Sequence, residues 1–94
     1  MITALSEDEI KTALQELPGW AFNDDKLWKE FKFKDFKEAM SFIVRVGFEA
    51  EALSHHPNLF NVYNTVSIAL QTHDAGNKVT TSDTALAKAI ERIS

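Results

Sequence analysis

Cysteine is absent from this chain of 94 residues, so no disulfide can stabilise its fold and cysteine content gives no indication of the redox compartment. Proline and glycine are scarce, with two and three residues, and we find no internal repeat, low-complexity tract or linker. We therefore expect a single domain over residues 1–94 with a modest hydrophobic core. Chains of this size often gain stability by forming oligomers.

Basic residues are also few. Ten Lys and Arg against fourteen Asp and Glu give a formal net charge of −4. There is no dense basic stripe to neutralise phosphates, which argues against direct nucleic-acid binding. No apolar run approaches the roughly 20 residues needed to span a bilayer, and the N-terminus lacks the basic start and apolar core of a secretory signal. We expect a soluble cytoplasmic domain without a membrane partner.

The first third of the chain predicts a helix followed by a β-hairpin. Ser6 and Glu9 fit a capping box, in which each side chain accepts a hydrogen bond from the other residue's amide. Apolar residues then recur at helical spacing until Pro18-Gly19 ends the helix. Two aromatic-rich runs flank a turn at residues 23–25, and the second run covers Leu27 to Phe33. We expect two antiparallel strands here.

A second capping box, from Asp35 and Glu38, predicts the start of the longest helix, over about residues 36–53. Its apolar residues step by three and four, which predicts a broad buried stripe with Phe42 off the centre. The predicted stripe consists of Phe36, Ala39, Met40, Ile43, Val46, Gly47, Ala50 and Leu53.

The rest of the chain predicts a second hairpin and a third helix. The two strands are expected at residues 59–63 and 65–73, with Val66, Ile68 and Leu70 facing the core. A loop at 74–77 precedes Thr80, which caps the last helix. The order α-β-β-α-β-β-α indicates an α+β domain, a four-stranded antiparallel sheet with three helices packed on one face.

All three histidines, His55, His56 and His73, fall within nineteen positions. Imidazole is the side chain whose unperturbed pKa lies nearest neutrality, so it can give or take a proton at working pH. A histidine after a helix C-terminus can simply cap the last carbonyls. However, adjacent residues point in different directions, so one cap does not explain both His55 and His56. We interpret the cluster as a proton-transfer site.

A zinc site is an alternative interpretation of the same cluster. Three imidazoles can hold zinc and leave a fourth position open for water. Adjacent histidines seldom converge on one ion, and the sequence has no His-x-His or His-x-x-x-His spacing. A metal-dependent hydrolase or metal-binding protein remains the less favoured hypothesis.

Three further residues near the histidines allow more than one role. Asp83 lies three residues after Thr80, which predicts a helix cap with a carboxylate at the positive helix end. Glu51 lies one turn before His55 and is expected either to hydrogen-bond to it or to be a solvated helix charge. Tyr63 is expected in the core or beside the cleft.

Seven residues at fixed spacing resemble the signature of the pterin-4a-carbinolamine dehydratases, also called 4a-hydroxytetrahydrobiopterin dehydratases. Aromatic and polar framework residues on both sides of the signature are also similar to that family. Ser54 stands where many relatives carry Asp before the histidine pair. The seven residues are Glu51, His55, His56, Pro57, Tyr63, His73 and Asp83.

The resemblance implies a reaction and a set of site residues. The reaction is loss of water from a 4a-hydroxytetrahydropterin to give a quinonoid dihydropterin, in tetrahydrobiopterin recycling or biosynthesis. It needs an acid for the C4a hydroxyl and a base for the N5 proton, and no redox cofactor or metal. His55 and His73 are expected to transfer the protons, and His56 to hold the ring. Substrate contacts are expected from Glu51, Ser54, Gln71, Thr72 and Asp74.

The resemblance also implies how the chain assembles. The family builds dimers by continuing the sheet between chains, and some members pack helices to make tetramers, so a homodimer or homotetramer is expected. The alternative function is a non-catalytic dimerisation module of the transcriptional coactivator type, which works through helix packing rather than DNA contact.

Overall fold

Three helices and four strands alternate along residues 3–94, the part of the chain that the computed structural model describes. The observed order confirms the predicted one. A 3₁₀ turn at His73–Ala75 is the additional element. The helices are α1 (Glu7–Leu14), α2 (Phe36–Ala52) and α3 (Thr81–Ile93), and the strands are β1 (Ala21–Asn23), β2 (Lys26–Lys32), β3 (Asn58–Val62) and β4 (Thr65–Leu70).

The sheet has the order β1-β2-β4-β3, and every neighbouring pair is antiparallel. The longest pairing joins β2 to β4, with Leu27 opposite Leu70 and Phe31 opposite Val66. These four side chains and Ile68 are buried on one face, which the helices cover. The predicted inward direction of β4 is therefore confirmed.

Capping side chains set where the helices begin, with one difference from prediction. The Ser6–Glu9 box has both of its hydrogen bonds, at 2.8 and 3.1 Å. At α2, Asp35 Oδ1 accepts from the Glu38 amide at 2.9 Å, but Glu38 Oε1 accepts from the Lys34 amide at 3.2 Å. The second capping box is thus only half formed, because Glu38 reaches one residue beyond the cap.

The buried face of α2 differs from the predicted stripe. Phe42 is fully buried and packs its ring 4.8 Å from Phe31 and 4.9 Å from Phe33, centroid to centroid. In contrast, Phe36 and Met40 are 48% and 39% exposed. Apolar residues lie on more than one side of α2, so their spacing could not show which side meets the sheet. An apolar row on the outer face remains in solvent: Phe36, Met40, Val44 and Phe48.

The chain after β4 also departs from prediction. The strand was expected to reach His73, but it ends at Leu70 and only a single bridge, between Thr72 and Lys78, follows. His73 opens the 3₁₀ turn, which ends at Gly76 with a φ of +76°. Within residues 3–94, no helix is both long and apolar enough to cross a membrane.

Candidate active site

A Schellman motif at the end of α2 positions the first histidine. Ser54 adopts a left-handed φ of +52°. Its amide donates to the Glu51 carbonyl at 3.1 Å, and the His55 amide donates to the Ala50 carbonyl at 3.0 Å. The chain therefore reverses after α2, and His55 turns back towards α3.

His55 contacts a buried carboxylate at the start of α3. His55 Nε2 lies 2.5 Å from Asp83 Oδ1, and the two side chains are 14% and 0% exposed. Asp83 Oδ2 accepts hydrogen bonds from the Thr80 amide at 2.9 Å and from Thr72 Oγ1 at 2.8 Å. The predicted Thr80–Asp83 capping box is confirmed. The bond to His55 was not expected, because 28 residues separate the partners.

The two helices favour opposite charges at this contact. His55 follows the negative C-terminal end of α2, and Asp83 lies in the first turn of α3, at its positive end. An ionised carboxylate only accepts hydrogen bonds, so with Asp83 ionised His55 carries its proton on Nε2. The other ring nitrogen, Nδ1, is then the one able to accept a proton. A carboxylate held in this way also stabilises an imidazolium once it forms.

His56 pairs with Glu51 at the rim of the site. Its Nε2 lies 2.9 Å from Glu51 Oε1, and the side chains are 69% and 79% exposed. Of the two alternatives for Glu51, the bond to His55 does not form, and Glu51 is instead a solvent-exposed charge on the helix that pairs with His56. Because the Schellman turn moves His55 off the helical path, the one-turn spacing no longer brings it beside Glu51. A solvent-exposed pair of this kind contributes little to stability.

His73 lies on the 3₁₀ turn that follows β4. Its Nδ1 lies 3.3 Å from Asn77 Oδ1, a partner that leaves Nε2 available. The preceding residue, Thr72, fixes this turn. Its amide donates to the Lys78 carbonyl at 2.8 Å, and its carbonyl accepts from the Asn77 amide at 3.0 Å. Thr72 therefore connects the His73 turn to the buried Asp83 carboxylate.

These segments enclose a cleft of about 300 Å³. Seven of the eight predicted site residues line it, and Glu51 does not. The Thr72 hydroxyl is within 2.8 Å of both Asp83 Oδ2 and Thr80 Oγ1, so it is occupied inside the protein. The lining residues are Ser54, His55, His56, Gln71, Thr72, His73, Asp74 and Ser82.

Ser82 is the lining residue that the sequence analysis missed. It lies in the first turn of α3, next to Asp83, and it lines the cleft. The predicted cap at Thr80 was the available signal, because a helix that starts beside the site presents its first turn to it.

Tyr63, expected in the core or beside the cleft, lies in the β3–β4 turn and is 61% exposed. Among residues 3–94, no three His, Cys, Asp or Glu side chains converge as possible ligands of one metal ion.

The family comparison covers nearly the whole chain. Residues 3–93 match the family model described as pterin 4 alpha carbinolamine dehydratase. A protein of Opitutus terrae, provisionally named a pterin-4-alpha-carbinolamine dehydratase, is 53% identical over 94 residues, covering 100% of this chain and 97% of its own length. A Christiangramia forsetii protein with the same provisional name is 46% identical over 93 residues, covering 99% of this chain and 95% of its own.

A solved structure has the same fold. The crystal structure of a transcriptional coactivator/pterin dehydratase from Brucella melitensis superimposes with a TM-score of 0.90. It is 40% identical in sequence, and the match covers 96% of this chain and 97% of that one. The predicted family and the predicted fold class are therefore both confirmed.

Proposed function

Since this chain belongs to the pterin-4-alpha-carbinolamine dehydratase family, we propose that it dehydrates a 4a-hydroxytetrahydropterin to a quinonoid dihydropterin in tetrahydrobiopterin recycling or biosynthesis. The observation that carries the proposal is the cleft, in which three imidazoles surround a space of about 300 Å³. A volume of this size suits a small bicyclic ring. The reaction only rearranges electrons within the substrate and releases water.

In the proposed mechanism His55 is the base. Its Nδ1 accepts the proton from N5 of the substrate, and the N5 lone pair then expels the C4a oxygen. His55 becomes an imidazolium beside Asp83, whose carboxylate is already in contact with Nε2. The cation therefore forms next to a prepositioned negative charge, which lowers the free energy of the transition state.

His73 is the proposed acid. Hydroxide is a poor leaving group, so protonation of the C4a hydroxyl as the bond breaks is required. His73 is exposed on its turn, so it can regain a proton from solvent after each turnover. One proton leaves His73 with the water molecule and one arrives on His55 from N5. His73 then takes a proton from solvent and His55 releases one to solvent, which restores the site.

The remaining cleft residues are proposed to hold the ring. His56 lines the cleft and pairs with the exposed Glu51 at its rim, which supports a binding role for the pair. Ser54, Gln71, Asp74 and Ser82 supply polar groups for the amide and amino edge of a pterin. The proposed contribution of Thr72 is different, since its hydroxyl bonds to Asp83 rather than into the cleft.

Assembly into a homodimer or homotetramer, in the cytoplasm, is part of the proposal. Two surfaces support self-association: the apolar row on the outer face of α2, in which Phe48 is 72% exposed, and the unpaired edge of β3. Soluble proteins usually cover or pair such surfaces.

The α2 row also favours one alternative function. A contiguous apolar helix face can bind an amphipathic helix of another protein, as a coactivator-type dimerisation module would. Binding of a partner helix and dehydration use different surfaces, so both functions can be present in one chain. A variant without turnover that still binds a helical partner would separate them.

The test of the proposed function is direct turnover. Chemically generated 4a-hydroxytetrahydropterin is mixed with the wild-type protein and with His73→Ala, and the loss of the carbinolamine is followed by absorbance. We expect rapid dehydration by wild type and a loss of about 10²-fold or more in the variant. Glu16→Gln, far from the cleft on the surface pair with Lys88, is the matched control. Wild-type protein that does no better than buffer would refute the proposal.

A further inference from the structure

Asn77 closes the turn that carries His73 and contacts three consecutive residues of the cleft wall. Its amide donates to the Thr72 carbonyl at 3.0 Å, and its carbonyl accepts from Gln71 Nε2 at 2.9 Å. Its side-chain oxygen, Oδ1, lies 3.3 Å from Nδ1 of His73. These three partners line the cleft and Asn77 does not, so Asn77 can affect the site only through them.

The backbone of Asn77 has a conformation that favours glycine. Its φ is +61°, directly after Gly76 at +76°. Asparagine tolerates the left-handed region better than most residues with a side chain, but glycine adopts it without steric cost. The bonds to Gln71 and Thr72 involve only the backbone of Asn77, so glycine could make them as well. A side chain that is retained at such a position is expected to have a function of its own.

The contact with His73 determines which ring nitrogen carries the proton. An amide oxygen only accepts hydrogen bonds, so the His73 proton that faces Asn77 Oδ1 is on Nδ1. In the imidazolium the second proton is on Nε2, and loss of that proton returns the ring to the form that Asn77 bonds. Nε2 is therefore the nitrogen left to exchange a proton with a bound molecule.

The partner of His55 differs from the partner of His73 in charge. His55 Nε2 contacts the buried carboxylate of Asp83, whereas Asn77 is a neutral, exposed amide. A hydrogen bond from an imidazolium to a carboxylate is stronger than one to a neutral amide oxygen. The two partners therefore favour uptake of a proton at His55 and release of a proton at His73.

We propose that Asn77 is a positioning residue for His73: its side-chain oxygen holds the Nδ1 proton, so that Nε2 gives its proton to the C4a hydroxyl of the substrate. As the C4a–O bond breaks, its electron pair leaves with the water molecule. The N5 lone pair forms the new double bond to C4a, and His55 takes the N5 proton. The step on the substrate rests on the proposed function, whereas the state of the His73 ring does not.

Nitrogen chemical shifts of the imidazole rings, measured by NMR, test the contact without requiring turnover. The chain has three histidines, so the signals that are missing in His73→Gln identify the His73 ring. In the alkaline range, wild type is expected to show the Nδ1–H form. Asn77→Gly should convert His73 towards the Nε2–H form, which a free histidine side chain prefers.

Asp24→Gly is the matched control for the ring spectrum. It also replaces a left-handed residue, with a φ of +58°, but lies away from the cleft, so the His73 ring should keep its wild-type form. An Nε2–H ring in wild type, which an amide turned the other way would produce, would overturn the proposal. So would an unchanged ring in Asn77→Gly.

The kinetics of the same variants test what the contact contributes. Asn77→Gly keeps the backbone bonds and suits the left-handed conformation, so it should keep the melting temperature of wild type. We expect its kcat to fall about tenfold with little change in KM, because the orientation of His73 is lost and ring binding is not. Asp24→Gly should change neither constant. A wild-type kcat in Asn77→Gly, or a loss of kcat together with a lower melting temperature, would refute the positioning role.

The pH profile of Asn77→Asp tests whether a neutral partner matters. Aspartate keeps an oxygen at this position, so the Nδ1–H form should persist, but its charge stabilises the imidazolium. The alkaline fall of kcat, on which His73 loses its acid proton, should therefore move to higher pH. A fall at the wild-type pH would overturn the requirement for a neutral partner. The other titratable groups around the turn and the cleft are the same in both proteins: His55, His56, Asp74, Lys78 and Asp83.

The two kinds of readout separate this inference from the proposed function. Absence of wild-type turnover would refute the proposed function, since the NMR spectra still report the His73 ring and its partner. Normal wild-type turnover with an Nε2–H ring would leave the proposed function intact and refute the role of Asn77.

Discussion

At the scale of single residues, the two oxygens of Asp83 have separate tasks. Oδ2 accepts from the Thr80 amide and from Thr72 Oγ1, which caps α3 and fixes the carboxylate. Oδ1 contacts His55 Nε2. A cap alone would leave turnover independent of this residue, whereas a carboxylate that orients a proton-transfer histidine affects it directly.

We therefore expect Asp83→Asn to lose both stability and turnover. The amide nitrogen of asparagine cannot accept the bonds that one carboxylate oxygen now receives, so a buried donor loses its partner at a cost of about 1–3 kcal/mol. Turnover should fall on the order of 10²-fold or more, because His55 loses its charged partner. Thermal unfolding and turnover are measured on the same samples. Full activity in a folded variant would show that Asp83 is only a cap.

Substitution of Thr72 tests the same hydrogen bonds with a smaller change, because Asp83 itself is kept. Thr72→Val keeps the side-chain shape but removes the hydroxyl that donates to Asp83 Oδ2, so we expect a lower kcat with little change in KM. Thr72→Ser keeps the hydroxyl and is expected to restore most of the kcat. A loss that serine does not restore would indicate a packing role for Thr72.

Variants of His55 and His73 should both lose turnover but should differ in thermal stability, because the two side chains differ in burial. We expect turnover to fall about 10²-fold or more in both His55→Gln and His73→Gln. His73 is exposed, so His73→Gln should keep the melting temperature of wild type, whereas His55→Gln disturbs a contact with a buried carboxylate and should melt several degrees lower. Variants that fail to fold would instead mean that the histidines are structural.

At the scale of secondary-structure elements, the same turn that ends α2 also positions His55 in the cleft. The Schellman motif requires a left-handed residue, and glycine adopts that conformation with least strain. This chain has Ser54 there instead, and Ser54 lines the cleft. Retaining a strained side chain is expected where that side chain has a function.

Ser54→Gly is therefore expected to gain stability and lose substrate binding. Relief of the left-handed conformation should add about 1 kcal/mol to the free energy of unfolding, while loss of the hydroxyl raises KM. Asp24→Gly is the matched control, because Asp24 has a φ of +58° in the β1–β2 turn and lies away from the cleft. It should gain stability at unchanged KM. A KM shift in both variants would contradict a specific role for Ser54.

At the scale of the whole molecule, a single chain leaves large apolar side chains in solvent, among them Phe48 on α2 and Phe60 on β3. The α2 row and the β3 edge are distinct surfaces, so they can serve two different contacts. Strand addition at β3 would give a dimer, and packing of α2 rows from two dimers would give a tetramer.

We expect light scattering at micromolar concentration to give a dimer or tetramer mass. Phe48→Lys places a charge in the α2 row and should reduce a tetramer to a dimer without loss of turnover, because Phe48 lies outside the cleft. Lys37→Glu, at an exposed position in the first turn of the same helix, is the control and should keep the mass. A monomeric wild-type mass would contradict the predicted assembly.

The reaction is expected to need no metal, so turnover should survive exhaustive chelation followed by dialysis. The assay compares chelated protein with and without added zinc. Loss of activity in chelator with recovery on zinc would favour the alternative zinc interpretation of the histidine cluster.

The elements that could be predicted from residue order alone are those that depend on local interactions. The Ser6–Glu9 and Thr80–Asp83 boxes join residues three apart, and hairpin turns join strands that are adjacent in the chain, so the residues that cause each element are neighbours in the sequence. These signals were sufficient to predict the order of helices and strands. The spacing of the histidines and their neighbours was sufficient to predict the family.

The tertiary structure decided what depends on contacts between distant segments. Apolar residues surround much of α2, so only packing against β2 selected Phe42 for the core and left Phe48 in solvent. Ser54 in a left-handed conformation redirected the chain, so Glu51 met His56 instead of His55. The bond from His55 to Asp83 spans 28 residues, and no periodicity encodes it, because it exists only where the end of α2 and the start of α3 meet over the same sheet.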